Sequence, residues 1–497
     1  MKKGNALARA FRSAMGARLA IALINYGLFW ALTRLVDAPV LGGFSLLMNV
    51  FFLLQLLPLL GLSVPVMRRA ATHPEALAGE IANAFWFALP VALAIALGVG
   101  LWGAWTHAGD LAPSFWLIGL SLLPTAWTIV AEAVLVGQER FGDITRVVFV
   151  ECLLRSVLAL AAIRLGWGLT GVFAVMLLMR FVAAALYARH PGLSLPRWNL
   201  VTRALQRRNW REVPVFLGIA VVTALVTRLD VIVLSSLRDL HEVAVYAAAS
   251  RLYEASLMIP TVMALVLMPV LARHFKEARE RFAPTLDVVV RTSLVAGLAL
   301  ALPASALSGR VIGMLYPPEM AGAAPVLGWL VFASALMVTD VVLSSTMIAA
   351  DAQTMDLRCL AVGLAGLATG LCVCIPPWGA TGAALAVVAG LLARTAWRLR
   401  WSRREFALGP MGPLLARLAL ATGCGIAALR WAGVQGAVTA AIASFAAFGA
   451  AAVLLGVWGR HPLARLRADV ALLARRAPSA AVPGTSPGAR STPRPAP

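Results

Sequence analysis

Four charged side chains stand inside stretches otherwise apolar enough to cross a bilayer: Arg228 and Asp230 in one, Arg251 and Glu254 in the next. A charge at the centre of a membrane helix costs ~2.5–3.5 kcal/mol on insertion scales, so such residues face a bundle interior or a wet cavity. Arginine at such a place presents a planar fork that donates two parallel hydrogen bonds to an oxyanion and stays charged. Two accounts are open from the residues alone. The charges lock helices together as ion pairs, or they line a polar pathway through the membrane.

The elements that must position them run from Arg211 to Phe275, two apolar helices joined by a polar hairpin, Ser236 to Glu242. If the first helix ends near Ser236, Arg228 and Asp230 lie about 12 and 9 Å inside that end at 1.5 Å per residue. If the second begins near Val243, Arg251 lies about 12 Å in and Glu254 about 16 Å. All four therefore occupy one half of the bilayer. Thr223, Thr227 and Asp230 share one helical face, and Ser250, Glu254, Leu257 and Thr261 share another. Pro260 and Pro269 would free backbone carbonyls in the second helix and let it bend.

The 497-residue chain is 61% hydrophobic with a mean hydropathy of +0.84, which excludes a soluble globular class. Only 13% of its residues are charged, yet the formal net charge is +21. That excess is spread over short loops between apolar segments, so membrane orientation explains it better than nucleic acid does. Cys372 and Cys374 fall on nearly opposite faces of a helix, which disfavours a metal pair or a disulfide, and no cofactor or metal is expected. The basic N-terminus leads into a full-length span without a cleavage pattern and reads as a retained first helix.

Fourteen spans fit the hydropathy: Ala17–Val36, Val40–Val66, Gly79–Trp102, Leu111–Val136, Ile144–Ile163, Trp167–Tyr187, Glu212–Ser235, Val243–Pro269, Thr285–Leu307, Pro325–Ala349, Leu357–Pro376, Gly379–Trp397, Leu414–Trp431 and Gly436–Val457. Arginine and lysine crowd the loops before span one and after the even-numbered spans up to twelve, whereas the opposite loops hold little beyond Arg164, Arg238, Arg310 and Arg430. Both termini are thus expected in the cytoplasm, with the charged half of the central pair facing outward. Expected units are residues 1–190 (spans one to six), a linker at 191–211, residues 212–404 (spans seven to twelve), 405–460 (the last two spans) and a disordered tail, 461–497. The tail's arginines are expected against anionic lipid.

An internal repeat also emerges. An offset of 202 residues lays Asp37 on Asp239, Phe44 on Tyr246 and Pro58 on Pro260 without a gap. Six spans separate the two segments, so both run from outside to inside. That implies a parallel repeat about an axis along the membrane normal.

The order TRLD (Thr227–Asp230), EVAVYAAASRLYE (Glu242–Glu254), Pro260 and MPVLARHF (Met268–Phe275) resembles the seventh and eighth helices of the polysaccharide-type flippases. These belong to the multidrug/oligosaccharidyl-lipid/polysaccharide exporter superfamily. APVLGGFSLLMN (Ala38–Asn49), VGQERF (Val136–Phe141), LYPPEMAGAAPVL (Leu315–Leu327) and WGATGAALA (Trp378–Ala386) extend the likeness over spans one to twelve.

The resemblance implies an all-α polytopic fold with two six-helix lobes around a central cavity, plus two C-terminal helices. It places Arg228, Asp230, Arg251 and Glu254 at the cavity wall, with Arg18, Asn25, Arg34 and Gln55 as candidates from the first lobe. It further implies a bacterial inner-membrane protein that moves undecaprenyl-diphosphate-linked oligosaccharide for surface polysaccharide synthesis. Lipid-linked substrate, membrane lipid and a polymerase or export machinery are its expected partners, and nucleic acid is not. Glu132, on a face with Thr125 and Thr128, and Asp340, with Ser344 and Met347, are candidates for a coupling proton, and packing contacts serve equally well. Glu151 and Arg155 are spaced to neutralise each other. The rivals are a multidrug cation antiporter, whose cavity should be acidic and aromatic, a membrane glycosyltransferase or polymerase, which needs a long outward loop, and a structural scaffold.

Overall fold

The computed structural model describes residues 2–55, 57–106, 111–258, 260, 275, 279–406, 409, 411–433 and 436–456. Among these there are helices, turns and bends but no strand. The helices are α1 (Lys2–Leu35), α2 (Ala38–Leu54), α3 (Ser63–Thr72), α4 (Leu77–Thr106), α5 (Ala112–Gly137), α6 (Phe141–Arg164), α7 (Gly168–Ala188), α8 (Arg203–Leu237), α9 (Leu240–Ser256), α10 (Arg279–Leu315), α11 (Ala323–Ala349), α12 (Gln353–Phe406), α13 (Met411–Gly433) and α14 (Ala437–Leu454). Nine helices among the described residues are long and apolar enough to cross a membrane, and Leu19–Leu35 and Ala38–Leu54 are shorter apolar stretches. Leucine and phenylalanine side chains left bare on α4, α7 and α14, such as Leu101, Phe181 and Phe445, suit hydrocarbon rather than water.

One span needs correction. The second expected span, Val40–Val66, is broken into α2 and α3. Pro58 lacks the N–H that a continuing helix needs, and Leu60 and Gly61 adopt positive φ of 46° and 79°. Within the expected linker at 191–211, helix α8 already begins at Arg203, N-capped by the Thr202 hydroxyl, which accepts from the Leu205 amide at 3.4 Å. The rest of that linker is docked. Asn83 of α4 donates to the Leu200 carbonyl at 3.0 Å and accepts from the Thr202 amide at 3.0 Å, and Trp86 donates to the Pro196 carbonyl at 3.1 Å. Spans eleven and twelve are two helices, taken together here as α12, that fold back on each other at the expected junction, Gly379 (φ 52°), so that a Cβ on Gly363 would stand 2.9 Å from that of Arg394. The second half of the eighth span, the MPVLARHF motif bar its last residue, and the tail 461–497 lie outside the described residues.

The halves meet along α2 and α9, the two elements that the 202-residue offset superposes. Close approach is possible because Gly42 has no side chain. A Cβ there would stand 1.8 Å from the Leu240 carbonyl oxygen. One apolar core, including Phe51, Val130, Tyr246 and Leu330, crosses this seam, and a second fills α10 to α14 around Leu286, Leu343 and Phe448.

Candidate functional site

Helices α1, α2, α6 and α7 on one side, and α8 and α9 on the other, enclose a cavity of about 600 Å³. A second cavity of about 400 Å³ lies among α8, α9, α11 and α12, with Asn49 of α2 also on its wall. Arg228 and Glu254 line both, so their side chains form the partition between the two. Arg228 Nη1 donates to Glu254 Oε1 at 2.8 Å and to Asn49 Oδ1, across the seam on α2, at 3.0 Å. Arg251 Nη1 donates to the other carboxylate oxygen of Glu254 at 2.9 Å. One carboxylate thus bridges two guanidiniums, leaving the trio with an excess positive charge.

Aromatic rings back both arginines. The Arg228 guanidinium carbon lies 5.0 Å from the Phe52 ring centre and that of Arg251 5.4 Å from Phe29. Such contacts contribute roughly 0.5–2 kcal/mol and hold the forks in place without consuming their donors. On the facing wall Arg155 Nη2 donates to Asn25 Oδ1 at 2.7 Å, and Asn25 is itself anchored to the Ile21 carbonyl at 3.0 Å. Arg155, Arg228 and Arg251 against Glu254 make the larger cavity basic. Its remaining walls are apolar, with Phe29, Phe44, Met48, Phe52 and Met176 among them.

Of the residues picked out in the sequence, Arg228, Arg251, Glu254 and Asn25 line the larger cavity, and Asp230 lines the smaller. Arg34 and Gln55 line neither: Arg34 stacks 4.6 Å over Trp30, and Gln55 caps the end of α2. Arg18 falls on α1, and its side chain is outside the described residues. Asp230 does not pair with Arg251. It accepts a hydrogen bond from the buried Tyr246 hydroxyl and another from the Val231 amide at 2.9 Å.

Nor do Glu151 and Arg155 neutralise each other. Glu151 lies 3.4 Å from Arg180 and Arg155 turns to Asn25, because helical spacing alone says nothing about competing partners on other helices. Glu132 accepts from the Tyr187 hydroxyl at 3.2 Å, while the Thr125 and Thr128 hydroxyls bond to their own helix. Asp340 is nine-tenths or more buried and sits between Arg394, at 2.7 Å, and Arg398, at 2.5 Å, with Thr395 donating at 3.1 Å.

Asn49 and Phe52 escaped the sequence reading, although a signal existed. The repeat offset of 202 residues lays Asn49 on Arg251 and Phe52 on Glu254; Phe52 and Glu254 both line the larger cavity, whereas Arg251 lines the larger and Asn49 the smaller. Arg155 carried the general signal of a charge inside an apolar span, but its spacing from Glu151 pointed to a neutralising pair instead.

Among the described residues, contacts join the two halves near each end of the seam. At one, Trp30 Nε1 donates to the Leu315 carbonyl at 2.8 Å and Tyr316 packs edge-on against Phe29, with ring centres 6.3 Å apart. At the other, Arg69 of α3 is bonded to Glu212 of α8 and lies 3.3 Å from Glu80 of α4, while Arg208 of α8 also bonds Glu80.

This layered helical bundle, with a basic cavity between two related halves, has the fold of the MOP superfamily transporters. The lipid II flippase MurJ in an inward closed conformation superposes with a TM-score of 0.64 at 12% identity, covering 90% of this chain and 99% of that one. An inward-facing multidrug resistance MATE family transporter gives 0.61 at 14% identity, covering 79% and 98%. A MOP superfamily transporter from Pyrococcus furiosus, described by a binding pocket of reverse polarity, gives 0.53 at 16% identity, covering 79% and 93%. No curated protein matches the chain. Residues 7–275 match the model of the family described as polysaccharide biosynthesis protein, and the chain belongs to that family.

Proposed function

We propose that the chain carries a lipid-linked, undecaprenyl-diphosphate oligosaccharide from the cytoplasmic to the periplasmic leaflet of a bacterial inner membrane, by alternating access and without chemistry of its own. The observation that carries this reading is the charge of the larger cavity, where the described lining holds three arginines to one glutamate at the seam of the two halves. A diphosphate is the anion that such forks grip bidentately, and the aromatic walls suit sugar faces and prenyl chain. The family matched is one of polysaccharide biosynthesis, and MurJ is described as a lipid II flippase. A multidrug cation carrier of the same fold would repel its substrate from these arginines.

In this reading residues 1–190 and 212–404 rock against each other, the docked segment 191–211 connects them, and 405–460 is peripheral. The Trp30–Leu315 and Arg69–Glu212 contacts open alternately as access switches. Glu132 and Asp340, as carboxyls inside apolar spans, remain candidates for a coupling proton or for packing, Arg18 and Gln55 remain contributors through the resemblance, and Arg34, which lines neither cavity, is peripheral to the substrate. Both termini are cytoplasmic. In a cysteine-free background, Asp239→Cys should label with an impermeant thiol reagent in intact cells and Arg197→Cys should not, and the reverse pattern would overturn the orientation.

The deciding assay uses liposomes. Purified chain should speed transbilayer movement of a fluorescent polyprenyl-diphosphate disaccharide, followed by a leaflet-selective quencher. No acceleration, together with proton-driven uptake of a lipophilic cation, would establish the antiporter instead.

A further inference from the structure

We propose that the cleft at the head of α8, walled by Trp198, Arg203, Gln206, Arg207 and Trp210, binds the headgroup of an anionic phospholipid. The cleft has a volume of about 470 Å³ and is separate from the central cavities. Its two indoles are unusually bare, with Trp198 66% and Trp210 59% exposed. They are nevertheless held rigidly. Trp198 packs edge-on against Trp86, ring centres 4.8 Å apart, and Trp210 against Phe87 at 5.0 Å. Indoles fixed at a membrane–water boundary occupy the headgroup level, where one end meets acyl chain and the other water.

The charges at the cleft are uncommitted. Arg203 and Arg207 stand one helical turn apart on α8, both exposed, and among the described residues neither forms an ion pair. The nearby acids are already engaged, Glu80 by Arg69 and Arg208, and Glu212 by Arg69. Gln206 is fixed by its bond to the Asn83 carbonyl at 2.9 Å, so the cleft floor is as preorganised as its walls. Two free guanidiniums between two interfacial indoles complement a phosphodiester at the surface of a negatively charged leaflet. The placement rests on the orientation proposed above, with the arginine-rich end in the cytoplasm. A lipid seated here would brace the segment that joins the two halves.

The test uses the full chain in nanodiscs of phosphatidylcholine containing increasing brominated phosphatidylglycerol, reading tryptophan fluorescence. Subtracting the Trp198→Phe/Trp210→Phe variant isolates the two indoles. Brominated phosphatidylglycerol should quench them at a lower mole fraction than brominated phosphatidylcholine does. In Arg203→Gln/Arg207→Gln the preference for phosphatidylglycerol over phosphatidylcholine, fitted from the quenching curves, should fall roughly 25-fold, taking the usual contribution of each arginine near an anionic surface. Both substitutions are at exposed positions, and unchanged size-exclusion behaviour verifies the fold. Equal quenching by the two lipids, or undiminished preference in the arginine variant, would overturn the proposal. Displacement by excess inorganic phosphate would also overturn it, by revealing a simple anion site. Both leaflets are accessible in a nanodisc and no transport is read, so the result is independent of the substrate and of the orientation, which the thiol labelling tests separately.

Discussion

The side chains of Arg398, Arg394 and Asp340 are 3%, 8% and 2% exposed, whereas those of Arg251, Arg228 and Glu254 keep 19%, 24% and 36%. Both groups are arginine–carboxylate clusters in apolar helices of the second half. In the first, Asp356 joins at 2.8 Å from Arg398, so two arginines face two aspartates and the charges balance. In the second, one glutamate serves two arginines beside open volume, with Arg155 adding charge from across the cavity. Burial and neutrality mark a cluster that ties α11 to α12. Partial exposure and excess charge mark one that has room and reason for a further anion.

The comparison breaks most sharply at Arg398. Replacing it by Ala leaves Asp340 and Asp356 short of a partner in a dry interior, which costs about 3–5 kcal/mol. The protein should melt at a clearly lower temperature in detergent and accumulate poorly in membranes, and an unchanged melting curve would show that the cluster is not structural.

Arg251→Ala should do the opposite. Glu254 keeps Arg228, no carboxylate is orphaned, and the stability loss should be about 1 kcal/mol at most for a partly exposed pair. Transport should nevertheless be lost in the liposome assay, and retention of full transport would remove Arg251 from the site.

A smaller effect is expected for Asn49→Ala, which deletes the hydrogen bond that Arg228 makes across the seam, worth about 0.5–1.5 kcal/mol. Melting should shift slightly and transport should fall partially. Arg34→Gln should be the mildest, losing one stacking contact of about 0.5–1 kcal/mol at an accessible position, with transport intact.

The helices that span and the polar residues they carry were legible because apolar runs and the cost of membrane charge are properties of the sequence itself. The even spacing of arginine-bearing loops and the offset that pairs α2 with α9 were likewise readable. Partner choice was not. Asp230 and Arg251 sit at similar depth, yet Tyr246 takes Asp230 and Glu254 takes Arg251. Arg155 could have met Glu151 on its own helix but reaches Asn25 on α1. Such choices depend on rotation of each helix about its axis, which periodicity alone leaves open when most faces are apolar. The break after α2 follows from Pro58 and Gly61, although hydropathy runs straight through it.

The central claim is that the seam arginines hold an anionic ligand rather than the fold. Complementation of a flippase-null strain tests it most directly, reading lipid-linked sugar accumulated inside against membrane protein level. Glu254→Gln alone should remain active, whereas Arg251→Gln/Glu254→Gln should stay inactive although the protein inserts and accumulates normally. Arg251→Lys should be partly active, since a point charge replaces the fork. Full activity of the neutral double variant would contradict the claim and leave an ion pair whose only role is to join two helices.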